Sequence, residues 1–400
     1  MNASESEAGL AQREQVGGVV VCGGGAAGMA AAIAAARAGA PVTLIEAAPR
    51  LGGTVAHALI HTLGGLFDSR GEFIHDGLAR ELAERLMQVD PSVRRRRIGR
   101  AWVLSVCPRL YQSVAEQWVA ETAGIRVLLA TRVVETLTSG HRVTGLCAVG
   151  SEGAIQLTPR AVIDATGSAE VVRSVSPTLL QEDGRRAAGG LIFTLRGVAR
   201  DALTPPKGVG VVRALHRAAA EGRLPPRCGQ AWLDLGVRDD EVYVKLFVPL
   251  SQDWKAQENG IIAAARQEQA AVVAVLRQLP GFTAAEVEHT GALGVRDGGR
   301  IRGEYCLTAA DIRAGRFFPD AACRACWPIE YWHPEQGVSL EYLPDARYYE
   351  IPLRALRARG YANLWAAGKC LSADALAHAS ARVAGTCWAM GEAAGKAATL

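Results

Sequence analysis

Val19-Val20-Val21-Cys22-Gly23-Gly24-Gly25-Ala26-Ala27-Gly28 is the stretch whose reading decides the fold. Its apolar start reads as a strand buried on both faces of a parallel sheet. Met29 to Ala38 follows and is almost entirely strong helix formers. Gly39 ends that helix, as a residue free to take positive φ should. A second apolar run, Pro41 to Ile45, closes on Glu46. The order is strand, glycine turn, helix, strand, acid. In that frame the first glycine makes the tight turn, the second lets backbone approach a pyrophosphate, and the third lets the helix pack close to the sheet. The helix N-terminus offers unpaired N–H groups to phosphate. Glu46 lies 18 residues past Gly28, near the distance at which an acid binds ribose hydroxyls.

The 400 residues exceed one ordinary core, so two domains are expected. The formal charge of +4 is small for this length and makes no case for nucleic acid or a membrane surface. Met1 to Gln15 is polar, has no apolar h-region, and is read as a disordered N-terminus over residues 1–16. No apolar run reaches transmembrane length, and a cytoplasmic location is expected. The nine cysteines are scattered. Cys323 and Cys326 form a lone C-x-x-C pair with no second pair to complete a zinc set, so no metal site is expected.

The texture of the chain suggests a nucleotide-binding domain over 17–175, a substrate or cap domain over 176–345, and a return to the first domain over 346–400. Helical patterns cover 76–87 and 111–123, and short strand-like runs at 125–130, 132–138, 143–149 and 154–158 read as one antiparallel insertion. Ala161 to Gly167 is a further strand ending in a turn. Within the cap, 191–195 and 241–248 read as strands and 259–278 as a long helix. A small-residue helix over 381–398 closes the chain.

Four blocks together resemble the FAD-dependent oxidoreductase family of the two-dinucleotide-binding-domain flavoproteins, related to the fumarate reductase-like flavoproteins. They are the glycine turn with Glu46, Val162 to Gly167, Gly294 to Leu307, and Asn363 to Gly395. The stretch 176–290 is poorly matched. The resemblance implies an α/β fold: a Rossmann-like FAD-binding domain with an antiparallel insertion, plus an α+β substrate domain. It implies FAD held by Gly23, Gly25, Ala26, Ala27, Gly28 and Glu46. Gly52, Gly53 and Thr54 would run beneath the flavin, with Ala165, Thr166 and Gly167 beside it. Gly368 and Cys370 would approach the ribitol and phosphates, and Arg382 and Val383 would precede a helix capping the ring. The wider group carries Gly-Asp where this chain has Gly368-Lys369. Backbone contacts or Asp374 would then replace the usual carboxylate. There is no second G-x-G-x-x-G, so no complete NADPH-binding domain is expected.

Catalytic candidates follow from position. His57 and His61 lie four apart after the glycine pair and would share one helical face. Each reads either as a proton carrier near the flavin, with covalent attachment a further variant, or as a hydrogen-bonded residue in a packed segment. Arg296, Arg300 and Arg302 would share one side of a strand. Arg300 is taken as an anion clamp, against a salt-bridged face. His378 reads as a catalytic or a helix-terminal residue. The Arg94–Arg97 block reads as a solvated or acid-paired surface, and Trp327 to Trp332 as core or pocket wall. The expected activity is oxidation of a small organic substrate, an anion among the options, by hydride transfer to flavin N5. Electrons would pass to oxygen or a separate acceptor. A monooxygenase, an ene-reductase, a non-catalytic accessory subunit and a homo-oligomer stay open.

Overall fold

The computed structural model describes residues 12–14, 17–151, 153–181, 184, 187–251, 253–334 and 336–400. Its centre is a five-stranded sheet in the order Leu364–Ala366, Ala161–Asp164, Val19–Cys22, Val42–Ile45, Ile125–Leu128. Every pairing in it is parallel. All of its strands but Ile125–Leu128 are buried along their whole length, which is why they read as unbroken apolar runs. Helix Ala26–Arg37 connects Val19–Cys22 to Val42–Ile45. The last helix, Ala384–Ala397, packs along it, and a Cβ at Gly391 or Gly395 would overlap the carbonyls of Ala27 or Ala31. The closing helical stretch is two helices, because the chain breaks at Arg382-Val383 between Ala375–Ala381 and Ala384–Ala397.

Ile125–Leu128 corrects one expectation. It belongs to the edge of the parallel sheet, not to the insertion. The antiparallel insertion is the meander Arg132–Ser139, Arg142–Gly150, Gly153–Leu157. Gln12–Glu14 adds a parallel strand to its outer edge, so these three residues are ordered where disorder was expected. The rest of that expectation, residues 1–11 and 15–16, lies outside the described residues.

The cap is an antiparallel sheet in the order Trp232–Leu235, Val242–Val248, Gly189–Arg196, Glu286–Thr290. Strand period two divides its faces. Leu191, Phe193, Val244 and Leu246 pack against helices Lys207–Ala220 and Glu258–Leu276 in a core of their own. The other face carries Ile192, Trp232, Asp234, Tyr243, Lys245 and Phe247. Leu307, Ile312, Phe318 and Ile329 are buried in the first core, so the chain rejoins that core well ahead of residue 346.

Candidate active site

The cofactor half of the site starts at the glycine turn. Gly23 has φ +107, and a Cβ there would overlap the Ala165 carbonyl. A Cβ on Gly28 would overlap the Gly23 carbonyl oxygen. Helix Ala26–Arg37 has no side-chain cap at its N-terminus, so its first-turn N–H groups remain available beside the cavity wall formed by Gly23, Gly25, Ala26 and Ala27. Glu46 is on the same wall. Its carboxylate accepts the N–H groups of Gly24 at 2.6 Å and Ala48 at 2.7 Å, which fixes it while each oxygen keeps a lone pair for a diol.

The cavity continues past Gly53 and Thr54 on one side and Ala165, Thr166 and Gly167 on the other, to Gly368, Arg382 and Val383. Three expected cofactor residues stand behind this wall and shape it. Gly28 sits under the turn. Gly52, at φ +113, donates its N–H to the Gly24 carbonyl at 2.9 Å. The Cys370 sulfur accepts the amides of Gly167 at 3.1 Å and Ala169 at 3.3 Å. Buried Asp164 fixes the same turn through the Thr166 and Val172 amides at 3.1 and 3.0 Å. Near the start of the last helix, Arg382 Nε and Thr386 Oγ1 are buried with no hydrogen-bond partner among the described residues. Arg382 lines the cavity, and a buried polar atom without a partner there suits a polar ring edge.

Lys369 passes Gly167 and donates to Thr54 Oγ1 at 3.0 Å and the Val295 carbonyl at 2.9 Å. Burial pushes its ammonium pKa down. Asp374 does not take the place of the missing aspartate. It caps helix Ala375–Ala381 through the Ala377 amide at 2.7 Å, accepts the Ala309 amide at 2.9 Å, and does not line the cavity.

The second half of the cavity lies under the cap sheet. Ile192, Lys245 and Trp232 form one row across three strands, since Lys245 is in register with both of the others. On the facing side Glu330 accepts the indole N–H groups of Trp327 and Trp332, each at 2.7 Å. Arg296 lies over Trp332, 3.8 Å from the ring centre, and donates through one nitrogen to the carbonyls of Ala188 at 2.7 Å and Gly189 at 2.6 Å. Burial, with Arg382 nearby, pushes the Arg296 pKa down to about 9.

The four residues singled out as catalytic do not line this cavity. Helix Gly53–His57 ends before His61, so the two histidines share no helical face. The His57 ring meets the Arg50 carbonyl at 3.2 Å. His61 is fully buried, stacked 3.7 Å from Tyr243 and hydrogen-bonded to Asp234 at 3.1 Å. Arg96, from the arginine block, grips the same carboxylate at 2.7 and 2.9 Å. His61 therefore closes the seam between the base and the cap. Desolvation pushes its pKa down to about 3. Arg300 is buried in an ion pair with Asp297 at 3.1 Å and donates to the Ala373 carbonyl at 2.7 Å. His378 is buried, meets the Lys369 carbonyl at 3.0 Å, and has its pKa pushed down to about 3 by burial. Of the three arginines, Arg296 lines the cavity, while Arg302 is exposed and donates to the Leu180 carbonyl at 2.9 Å. Sequence reasoning passed over Lys245 and Glu330. The one signal for Lys245 was a single charge inside an apolar strand. Cys326 donates to the Phe67 carbonyl at 3.0 Å, and burial pushes its thiol up to about 12.

The chain belongs to the FAD dependent oxidoreductase family, whose pattern matches residues 18–400. It is an FAD-dependent protein, and the glycine cradle, Glu46 and the partnerless Arg382 Nε fit that cofactor. No curated protein matches it in sequence. Among solved structures it shares its fold with a geranylgeranyl bacteriochlorophyll reductase-like protein from Thermoplasma acidophilum, at 12% identity and a TM-score of 0.52, over 97% of this chain and 77% of that one. A p-nitrophenol 4-monooxygenase from Pseudomonas putida is similar at 14% identity and a TM-score of 0.43, over 73% of this chain and 71% of that one. Among the described residues no helix is long and apolar enough to cross a membrane.

Proposed function

We propose, with membership of that family as premise, that the protein oxidises a small, largely apolar organic substrate in the chamber beneath the cap sheet. One observation carries this reading. A single cavity joins the dinucleotide cradle to a chamber walled by Trp232, Trp327, Trp332 and Ile192. Such a chamber excludes water and orients an apolar body against the cofactor end. FAD, when bound, supplies a two-electron acceptor for a hydride leaving carbon. The protein's own groups then have separate tasks. The indoles pack the substrate. Arg296 and Arg382 set a positive field. Glu330, fixed by two indole N–H groups, and Lys245 are the wall groups able to hold or pass a proton. Oxygen or a separate acceptor would reoxidise the cofactor. We also place the protein in the cytoplasm, where its nine free thiols stay reduced.

The test is anaerobic mixing of FAD-loaded protein with alcohols, amines and saturated acids, followed at the flavin absorbance. Bleaching by one class without added reductant supports the reading. Bleaching that requires NAD(P)H, with an oxygenated product once air is admitted, would replace it with a monooxygenase.

A further inference from the structure

The cap face above the chamber has an unbalanced charge. Lys245 is flanked on its own strand by Tyr243, stacked on His61, and Phe247, 4.8 Å from Trp332. Both stacks are fixed, so the lysine stem stands between them on the cavity wall. Its ammonium has no hydrogen-bond or ion-pair partner among the described residues. Arg296 borders the same patch. Its NH2 would lie 3.2 Å from a Cβ on Gly190, which is two residues from Ile192, the register partner of Lys245. Two residues along a strand is about 7 Å. Arg296 uses NH1 on two carbonyls, and its other nitrogens have no hydrogen-bond partner among the described residues. Glu330 is held in place by the two indole N–H groups and, among the described residues, forms no ion pair with Lys245 or Arg296, so its one negative charge stands against two cations. Burial is the main cause pushing the pKa of both groups down, only partly offset by Asp234 and Glu330 at Lys245 and by Glu330 at Arg296, a desolvation that an incoming anion would relieve.

We infer that the substrate is an organic carboxylate, with its anion seated on Lys245 and Arg296 and its apolar body among the tryptophans. This rests on the chamber being the substrate site. An ammonium beside an open guanidinium edge suits a planar two-oxygen anion. The aromatic walls suit a ring or branched body over a short dicarboxylate.

The test uses FAD-loaded protein and two probes of nearly equal shape, benzoate and benzamide, read as a shift in the flavin absorbance spectrum. Benzoate should perturb the spectrum at concentrations about tenfold or more below those needed for benzamide, the ratio expected for a charge-assisted hydrogen bond. Lys245→Met, with its flavin content checked, should erase that preference, and Lys245→Arg should restore much of it. Equal binding of the two probes by the unaltered protein would overturn the carboxylate assignment while leaving the chamber as the substrate site. No perturbation by either probe, with flavin bound, would overturn both.

Discussion

Lys245 is the single charged side chain on strand Val242–Val248. Its alternation with Val244 and Leu246 is what aims it at the cavity, and that face could be assigned only once the cap helices were placed. The histidines show the reverse. His57 and His61 were singled out for lying close in sequence to the glycine pair, but the chain turns at Ala58 and carries both rings away from the cavity. His57→Ala should accordingly leave kcat/KM within about threefold, the range of a substitution away from any buried network. A steady-state comparison at matched flavin content checks this, and a loss of two decades would return His57 to the chemistry. The glycine cradle and Glu46 were legible because their spacing alone states the geometry. Glu330 was not, because its value depends on two tryptophans that fold against it.

At the scale of elements, two contacts hold the site together. Helix Ala26–Arg37 and helix Ala384–Ala397 touch through Ala27, Ala31, Gly391 and Gly395. A methyl at Gly391 would push into the backbone that presents the Ala27 amide. Gly391→Ala should cost about 1–3 kcal/mol by overpacking. It should also weaken FAD binding, which thermal melts with and without added FAD would separate. The second contact is the seam where Asp234 of the cap meets Arg96 and His61 of the base. Removing its charge leaves the half-buried Arg96 guanidinium with only the Leu235 carbonyl and a neutral amide as acceptors, so Asp234→Asn should destabilise by about 1–3 kcal/mol, measurable by denaturant unfolding. The five-stranded sheet was legible from its unbroken apolar runs. Its edge strand Ile125–Leu128 was not, since an exposed edge residue such as Arg126 gives the mixed pattern of an antiparallel ribbon.

Across the whole molecule, acid should loosen the fold before it affects exposed carboxylates. His61 faces Asp234, Arg96, Lys245 and the Tyr243 ring, and His378 faces Asp297, Arg300, Arg382 and the Lys369 carbonyl. Both are held neutral, with pKa values near 3 in the folded state. The unfolded chain protonates them near pH 6.5, so stability is complete above that value and falls as pH drops from about 6.5 toward 3. Each histidine should contribute a slope of about 1.4 kcal/mol per pH unit below pH 6. Urea unfolding at pH 7 and pH 5 should show the loss, and His378→Gln should reduce it by about half. A pH-independent midpoint would mean that these rings accept protons in place.

The central claim is that FAD lies with its diphosphate against the N-terminus of helix Ala26–Arg37. The direct measurement is flavin content per chain, by absorbance after refolding with excess FAD, for the unaltered protein beside Gly28→Ala, whose methyl would collide with the Gly23 carbonyl. Stoichiometric flavin in the first and almost none in the second is the expected result. A protein that folds and stays colourless, or a Gly28→Ala variant that binds FAD equally well, would contradict it.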